Sequence, residues 1–309
     1  MTVLVGFDRL VHSDWSVSRH KRWTAIAERS SNGWCIASLA QTPSPAEFLD
    51  LLFDRPNTLA GFDFPIGLPS LYLDRIASGF CDLLAAPATD RAQRFFTPAD
   101  TLFDISPTQP FYRKHPAGGR QADLLRRLEC VGFDDLLRGC DRATVNRSRA
   151  ESIFWTVGAK QVGKAALSGW RDILIPARAR GARLWPYDGA LSSLSSHALT
   201  LAETYPAEVY RHLGMNRTVK KRTQGGRKSA GAVMLAWASQ RDVRLSAELA
   251  SLIRDGFGES DDGEDAFDAI TGLCGMIEVA DGHRAEAPDA LWTSHPREGW
   301  ILGQIDAPV

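Results

Sequence analysis

Short apolar segments that end on an acidic residue recur along this chain, and they limit its fold more than any other feature. Apolar runs of about four to eight residues, bounded by turn formers, are typical of buried β-strands. In an open sheet, ligands bind outside the carboxyl ends of parallel strands, so acids at those ends meet at one edge. The segments with their acids are residues 2–7, which end at Asp8, residues 58–63, which end on Asp63, and residues 198–206, which contain Glu203 near their carboxyl end.

The order of the segments predicts a mixed sheet. Residues 22–29 and 33–40 are two more strand-like runs joined by a polar turn, and residues 44–53 show helical periodicity after a Ser-Pro start. Consecutive strands form an antiparallel meander, whereas later strands separated by helices form parallel crossovers. A last short strand is predicted at residues 298–305. The sequence therefore predicts an α/β fold in which helices flank a mixed sheet.

Residues 70–195 differ from the rest of the chain in their pattern. Amphipathic helical stretches alternate there with loops that contain proline and glycine. We expect a large, mainly helical insertion within a single domain of residues 1–309, rather than a second independent domain.

Composition argues against several classes of protein. Lys and Arg number 36 and Asp and Glu number 37, so the net charge of −1 gives no overall attraction to nucleic acid. The five cysteines show no zinc-ligand spacing. Because the chain has neither a signal-peptide pattern nor a run of about 18 apolar residues, we expect a cytoplasmic protein without a membrane partner. The sequence leaves the oligomeric state open.

Two acids interrupt an apolar helical segment at residues 263–280. Asp265 and Asp268 lie three positions apart, which places their Cβ atoms about 5–6 Å from each other on a helix. Capping and the helix dipole account for acids of the first turn, but not for Asp268 on the apolar side beyond it. Gathered carboxylates repel one another unless a cation lies between them. Oxygen ligands without Cys or His favour Mg²⁺ or Mn²⁺.

Four segments resemble, in their order, the successive blocks of a family of uncharacterised proteins that has an RNase H-like core and is predicted to be a nuclease: VGFD, GFDFPIGLP, ETYPAEVYRHLG and EDAFDAITG. The D-x-x-D-A segment is also similar to the helix that completes the two-metal site of Holliday-junction resolvases. The resemblance implies a mixed five-stranded sheet flanked by helices, two bound Mg²⁺ or Mn²⁺ ions, and hydrolysis of phosphodiester bonds in DNA or RNA. It implies that the catalytic residues are Asp8, Asp63, Glu203 and Asp268, with Asp265 as a further metal ligand.

A basic segment follows the third strand-end acid. Residues 216–231 gather six basic side chains around a Gly-Gly pair. A cationic loop beside carboxylates suits a polyanion, because phosphate contacts give affinity without base selection; a solvated surface loop is the alternative. Lys160 and Lys164 are candidates to line a substrate cleft or to begin a helix of the insertion. The six basic residues are Arg217, Lys220, Lys221, Arg222, Arg227 and Lys228.

Two other functions stay open. An actin-like enzyme for ATP-dependent phosphoryl transfer needs a glycine-rich phosphate loop after its first strand, and the segment after Asp8 has none. A binding or scaffold protein retains the fold without turnover, and Arg9 beside Asp8 keeps that interpretation open. Binding of Mn²⁺ that weakens in Asp268→Asn separates a metal-dependent hydrolase from a scaffold.

Overall fold

The computed structural model describes residues 6–85, 89–114, 120–145, 147–156, 162–216, 219–260, 262–294 and 296–306. The chain divides into two compact units. The first unit comprises Met1–Asp63, Gly181–Glu286 and Ile301–Gly303, and the second comprises Phe64–Arg180, Ala287–Trp300 and Gln304–Val309. The long segment of the second unit therefore begins and ends earlier than the insertion expected at residues 70–195.

The first unit opens with three strands, a helix and a fourth strand. The helix begins where the sequence places it, because the Ser44 hydroxyl accepts from the Glu47 N–H while the Glu47 carboxylate accepts from the Ser44 N–H. These elements are β1 (Arg9–Asp14), a 3₁₀ turn (Arg19–Lys21), β2 (Trp23–Ser30), β3 (Gly33–Gln41), α1 (Pro45–Phe53) and β4 (Thr58–Phe62).

The second unit is mainly helical. Its core is aromatic: the Trp170 ring packs 5.0 Å from Phe80 and 6.1 Å from both Phe95 and Phe111, and its Nε1 donates to the Pro65 carbonyl at 2.8 Å. The elements are α2 (Ser70–Ile76), α3 (Phe80–Ala85), α4 (Asp90–Phe96), β5 (Ala99–Thr101), β6 (Tyr112–Lys114), α5 (Gln121–Arg127), α6 (Val162–Gly169), a π-helical turn (Trp170–Leu174) and α7 (Ile175–Ala179), with 3₁₀ turns at Leu102–Asp104, Phe133–Leu136 and Gly139–Asp141.

The chain then completes the first unit and adds one helix to the second. The elements of the first unit are β7 (Arg183–Leu184), α8 (Leu191–Leu194), β8 (Leu199–Glu203), α9 (Pro206–His212), α10 (Gln224–Gln240), β9 (Arg244–Leu245), α11 (Ala247–Arg254) and α12 (Asp262–Ala280), and the helix of the second unit is α13 (Asp289–Ser294).

The first unit is built around a mixed sheet with the strand order β7-β8-β4-β1-β2-β3-β9. Strands β1, β2 and β3 form the antiparallel meander, while β1/β4, β4/β8, β7/β8 and β3/β9 pair in parallel. The predicted α/β fold with helices flanking a mixed sheet is confirmed. The sheet has seven strands rather than five, because the two-residue strands β7 and β9 extend its edges. The predicted strand at residues 298–305 is reduced to a single bridge between Ile301 and Glu203.

The first strand lies later in the chain than its hydrophobicity predicts. The expected strand at residues 2–7 was to end on Asp8, whereas β1 begins after Asp8 and ends on Asp14. Polar residues occupy the strand because they find partners: the Arg9 guanidinium donates to the Leu51 carbonyl at 2.8 Å. Residues 1–5 lie outside the described residues.

Helix α12 packs closely across the sheet because two facing positions lack a side chain. A Cβ atom at Gly272 of the helix would lie 2.1 Å from Nε2 of His12 on β1. A Cβ atom at Gly61 of β4 would lie 2.6 Å from the Met276 sulfur and 2.7 Å from a Thr204 methyl carbon. Close approach of this kind needs glycine on one side. The acids on α12 are thereby brought near the strand ends.

Among the helices that the structure describes, none is both long enough and apolar enough to cross a membrane.

Candidate active site

The parallel register of β1 and β4 places two aspartates side by side. Ser13 pairs with Phe62, so Asp14 at the end of β1 and Asp63 just after β4 reach the same edge of the sheet in step. Their side chains share a hydrogen bond, and the Trp15 N–H donates to Oδ1 of Asp63 at 2.7 Å. Asp14 and Asp63 form the carboxylate pair of the site.

Burial makes ionisation of this pair unfavourable. Burial raises the pKa of Asp14 well above its ordinary range, and the charge and hydrogen bond of Asp63 raise it further. The pKa of Asp63 is also raised by burial, which outweighs its hydrogen bonds to Asp14 and Trp15. Two carboxylates that share a desolvated site cannot both lose their protons easily without a nearby positive charge. Without added cation, the pair therefore tends to retain a proton.

Helix α12 adds a third carboxylate to this half-buried pair: Asp268, which is buried and 7% exposed. Its Oδ1 accepts from the Tyr210 hydroxyl at 3.1 Å, and its Oδ2 accepts from the Lys221 ammonium. Burial raises the pKa of Asp268 more than Lys221 and Tyr210 lower it, and the charge of Asp63 adds to the rise. Asp268 thus belongs to the same electrostatic cluster as the pair.

Asp265 lies one helical turn before Asp268 and is half-buried. Its charge, like that of Asp268, contributes to the raised pKa of Asp14. The structure therefore brings together three of the predicted acids, Asp63, Asp265 and Asp268, and adds Asp14 to them.

Lys221 is a cation within this cluster. Its Nζ contacts Asp268 and lies 3.1 Å from Glu264. Burial lowers the pKa of the Lys221 ammonium, but the two carboxylates outweigh burial and raise it above the ordinary value. Because one ammonium faces several carboxylates, full ionisation of the cluster would leave it with surplus negative charge.

The divalent cation that the resemblance implies needs several oxygen donors in one place. Within the described residues, no group of three or more His, Cys, Asp or Glu side chains is arranged to hold a metal ion. The chemistry of the donors nevertheless fits a hard cation, because they are carboxylate oxygens whose raised pKa values mark uncompensated negative charge. We conclude that the residues suit Mg²⁺ or Mn²⁺ in kind, and that both oxygens of Asp268 already have partners in this arrangement.

Asp8 does not belong to the cluster, and the expectation that it ends the first strand is wrong. It is exposed at the amino end of β1, where its Oδ2 accepts from the Asn57 side-chain amide at 2.9 Å. The six residues of β1 separate it from the far edge by about 20 Å. Asp14 takes the place that the sequence interpretation gave to Asp8.

Glu203 is the last residue of β8, which ends earlier than the strand predicted at residues 198–206, and it lies on the opposite face of the sheet from the cluster. It pairs with Phe62 in the parallel register, and side chains on a strand alternate between faces. Glu203 therefore shares the face of Phe62, whereas Asp63 points to the other face. Thr204 takes the position beside Asp63, and its hydroxyl lies 2.7 Å from Nε2 of His12.

The predicted basic residues have different roles. Lys220 and Arg222 are exposed on either side of Lys221, and Arg222 lies 4.0 Å from Glu264. Lys228 pairs with Asp255 at 3.2 Å. Lys164 is half-buried on α6 of the second unit. Arg217 and Lys160 lie outside the described residues.

Arg227 is a structural residue and not a phosphate contact. Its side chain is buried, and the guanidinium donates to the carbonyls of Gly256 at 2.7 Å, Lys221 at 2.8 Å and Gly258 at 2.7 Å. These bonds tie the basic segment to the residues that precede α12.

The sequence interpretation missed two residues of the site, Asp14 and Tyr210, and also the pairing of Lys221 with Asp268. One signal pointed to Asp14: a strand that ended at Asp8 left a connection of more than a dozen residues before the next strand, which is long for a compact fold. No sequence signal marks Tyr210, because only the packing of α9 against α12 brings its hydroxyl to Asp268.

Comparison with known proteins adds no relative: no family model, no curated protein and no solved structure matches this chain.

Proposed function

We propose that this protein hydrolyses phosphodiester bonds of nucleic acid at a site that depends on a divalent cation. The observation that carries the proposal is the group of buried and half-buried carboxylates where β1 and β4 end beneath α12. Asp14, Asp63 and Asp268 have raised pKa values, and among the described residues Lys221 is the basic group that acts on Asp63 and Asp268 most strongly. Perturbed acids gathered at such an edge are a frequent mark of functional sites.

Asp14, Asp63 and Asp268 would hold Mg²⁺ or Mn²⁺ after a rearrangement that frees one oxygen of Asp268, with Asp265 beside them. When bound, such an ion supplies positive charge against the negative charge that develops on phosphoryl oxygens. The chain fixes the acids in advance: the Trp15 N–H orients Asp63, and the Tyr210 hydroxyl orients Asp268. Groups held in place before reaction need little reorganisation during it.

The exposed basic residues support a polyanionic substrate. Lys220 and Arg222 flank the site residue Lys221 and have exposed side chains. Contacts from such side chains to phosphates bind DNA or RNA without reading the base sequence. The nucleic acid would therefore be selected by its backbone and shape.

The test is cleavage of single-stranded, duplex and branched DNA and RNA in the presence of Mn²⁺ or Mg²⁺. We expect wild type to cleave at least one substrate, and Asp63→Asn to lose about a thousandfold or more in rate, or about 4 kcal/mol. Asp8→Asn is the matched control, because it removes a strand-end acid of the same sheet outside the cluster. The proposal fails if no substrate is cleaved with either cation, or if Asp8→Asn is as inactive as Asp63→Asn.

A binding role without turnover is the second candidate. The contact of the Lys221 ammonium with Asp268 favours it, because an internal cation already compensates part of the negative charge. A protein with this role binds nucleic acid equally well in Asp63→Asn and in wild type, and cleaves with neither.

A further inference from the structure

We propose that Lys221 is an internal counter-cation that occupies the candidate active site when no metal is bound, and that its ammonium moves from Asp268 to Glu264 when a divalent cation binds. The inference rests on the proposed function. The sequence predicts a phosphate contact at Lys221, whereas here the residue balances the charge of Asp268.

The first step is competition for one oxygen atom. Tyr210 donates to Oδ1 of Asp268, and Lys221 occupies Oδ2. A metal ion that takes Asp268 as a ligand needs one of these oxygens. The ammonium is the group that must leave, because it carries the same sign of charge as the incoming ion and repels it at short range.

The second step is that the Lys221 side chain can move while its backbone stays in place. The Lys221 carbonyl accepts from the buried guanidinium of Arg227 at 2.8 Å. Arg227 also holds the carbonyls of Gly256 and Gly258, so the backbone of Lys221 is anchored to the segment before α12. Displacement therefore needs only rotation about side-chain bonds.

The third step is a place for the ammonium to go. The Lys221 side chain is 33% exposed, which gives it a route toward solvent. Glu264 lies one helical turn before Asp268, is 26% exposed, and is already 3.1 Å from Nζ. The ammonium can thus leave Asp268 and keep Glu264, in a more hydrated position, where its charge remains beside the site.

The consequence is a lower affinity for metal than the carboxylates alone would give. Cation and ammonium exclude each other at Asp268, so their binding is negatively coupled. Removing the ammonium should raise the affinity for Mn²⁺ by about tenfold, which is within the range typical of coupled sites.

The experiment is a calorimetric titration of Mn²⁺ into metal-free wild type, Lys221→Met and Lys220→Met. Lys220→Met is the matched control, because it removes the same charge from the exposed neighbouring residue. We expect about tenfold tighter binding in Lys221→Met and an unchanged affinity in Lys220→Met. Equal or weaker binding in Lys221→Met overturns the inference. If no protein binds Mn²⁺, the proposed function and this inference both fall; if all three bind it with equal affinity, only this inference falls.

A second measurement uses wild type and does not depend on the folding of a variant. Amine acetylation followed by mass spectrometry reports how accessible each ammonium is. Mn²⁺ should increase the labelling of Lys221 and leave that of Lys220 unchanged. Labelling of Lys221 that stays constant while Mn²⁺ binds contradicts the displacement.

Discussion

Helix α12 carries two buried carboxylates with opposite electrostatic behaviour. Glu278 accepts from Trp237 Nε1 at 2.7 Å and from the Arg241 guanidinium at 2.6 and 3.2 Å. Burial alone would raise the pKa of Glu278, but the hydrogen bonds of Arg241 and Trp237 and the charge of Arg241 outweigh it and lower the pKa. At Asp268, burial prevails and the pKa is raised.

The difference between the two sites lies in how charge is balanced, not in how deeply it is buried. Glu278 and Asp268 are 4% and 7% exposed. Glu278 faces one guanidinium that matches it, whereas Asp268 shares Lys221 with Glu264 and lies near Asp63. Removing one partner from a balanced buried pair destabilises the fold because the other charge is left uncompensated. An acid whose charge is not balanced by the protein is suited to bind a cation.

The largest expected effect is on activity. Asp14→Asn should lower kcat/KM by about a thousandfold or more, or about 4 kcal/mol of transition-state stabilisation. Glu278→Gln should stay within about threefold of wild type, because Glu278 belongs to the balanced site. Steady-state kinetics on the substrate that wild type cleaves makes the comparison. Equal decreases in kcat/KM in the two variants would contradict the proposed difference between the sites.

The next effect is on stability, with opposite signs. Glu278→Gln should lower the free energy of unfolding by about 2–3 kcal/mol, because it leaves the Arg241 guanidinium without its carboxylate. Asp63→Asn should leave it unchanged or raise it by up to about 1 kcal/mol, because it removes repulsion among the site carboxylates. Urea denaturation of metal-free protein gives both values. A larger decrease in the free energy of unfolding in Asp63→Asn than in Glu278→Gln would contradict the proposed difference between the two sites.

The pH dependence sharpens the same contrast. Asp63 has a raised pKa, so the stability it gives is present below the ordinary value of 3.8 and is lost as pH rises through the raised value. Glu278 has a lowered pKa, so its contribution is present above 4.5 and is lost as pH falls through the lowered value. As the pH rises, the Tm of metal-free Asp63→Asn should increase relative to that of wild type by about 2–4 °C. The Tm of Glu278→Gln should not increase relative to wild type. Thermal scans with a chelator between acidic and neutral pH test this.

The smallest effect separates two arginines beside the two sites. Arg222→Gln should change stability by less than about 0.5 kcal/mol, because its side chain is 82% exposed. It should reduce the salt dependence of oligonucleotide binding by about one phosphate contact. Arg241→Gln should do the reverse, with lower stability and unchanged binding. Fluorescence anisotropy at several salt concentrations measures the binding term.

The fold was more predictable than the first strand of the site. Apolar runs bounded by turn residues placed β2, β3 and β4, and helical periodicity placed α1, all to within a residue or two of their observed bounds. The sequence did not predict strand β1 at its observed position, because the strand buries the polar residues Arg9, His12 and Ser13. Such residues look unlike a strand until their partners across the sheet are known.

The site was predictable in part for a related reason. Asp63 and Asp268 stood out because an acid after an apolar strand, or within an apolar helix, breaks a local pattern. Glu203 broke the pattern in the same way, yet the register assigns it to the opposite face. A pattern along one strand does not fix its register with the neighbouring strand. The sequence therefore could not predict on which face of the sheet the Glu203 side chain lies.

The close contact at Gly272 has a consequence for how this protein tolerates genetic variation. The helix reaches the sheet only because Gly61 and Gly272 contribute no side-chain atoms at their points of contact. Alanine at Gly272 would push α12 away from His12 and carry Asp268 away from Asp63. A random mutagenesis screen should therefore recover inactive alleles at Gly61 and Gly272, although neither bears a reactive group, because one added methyl group there separates the helix from the sheet.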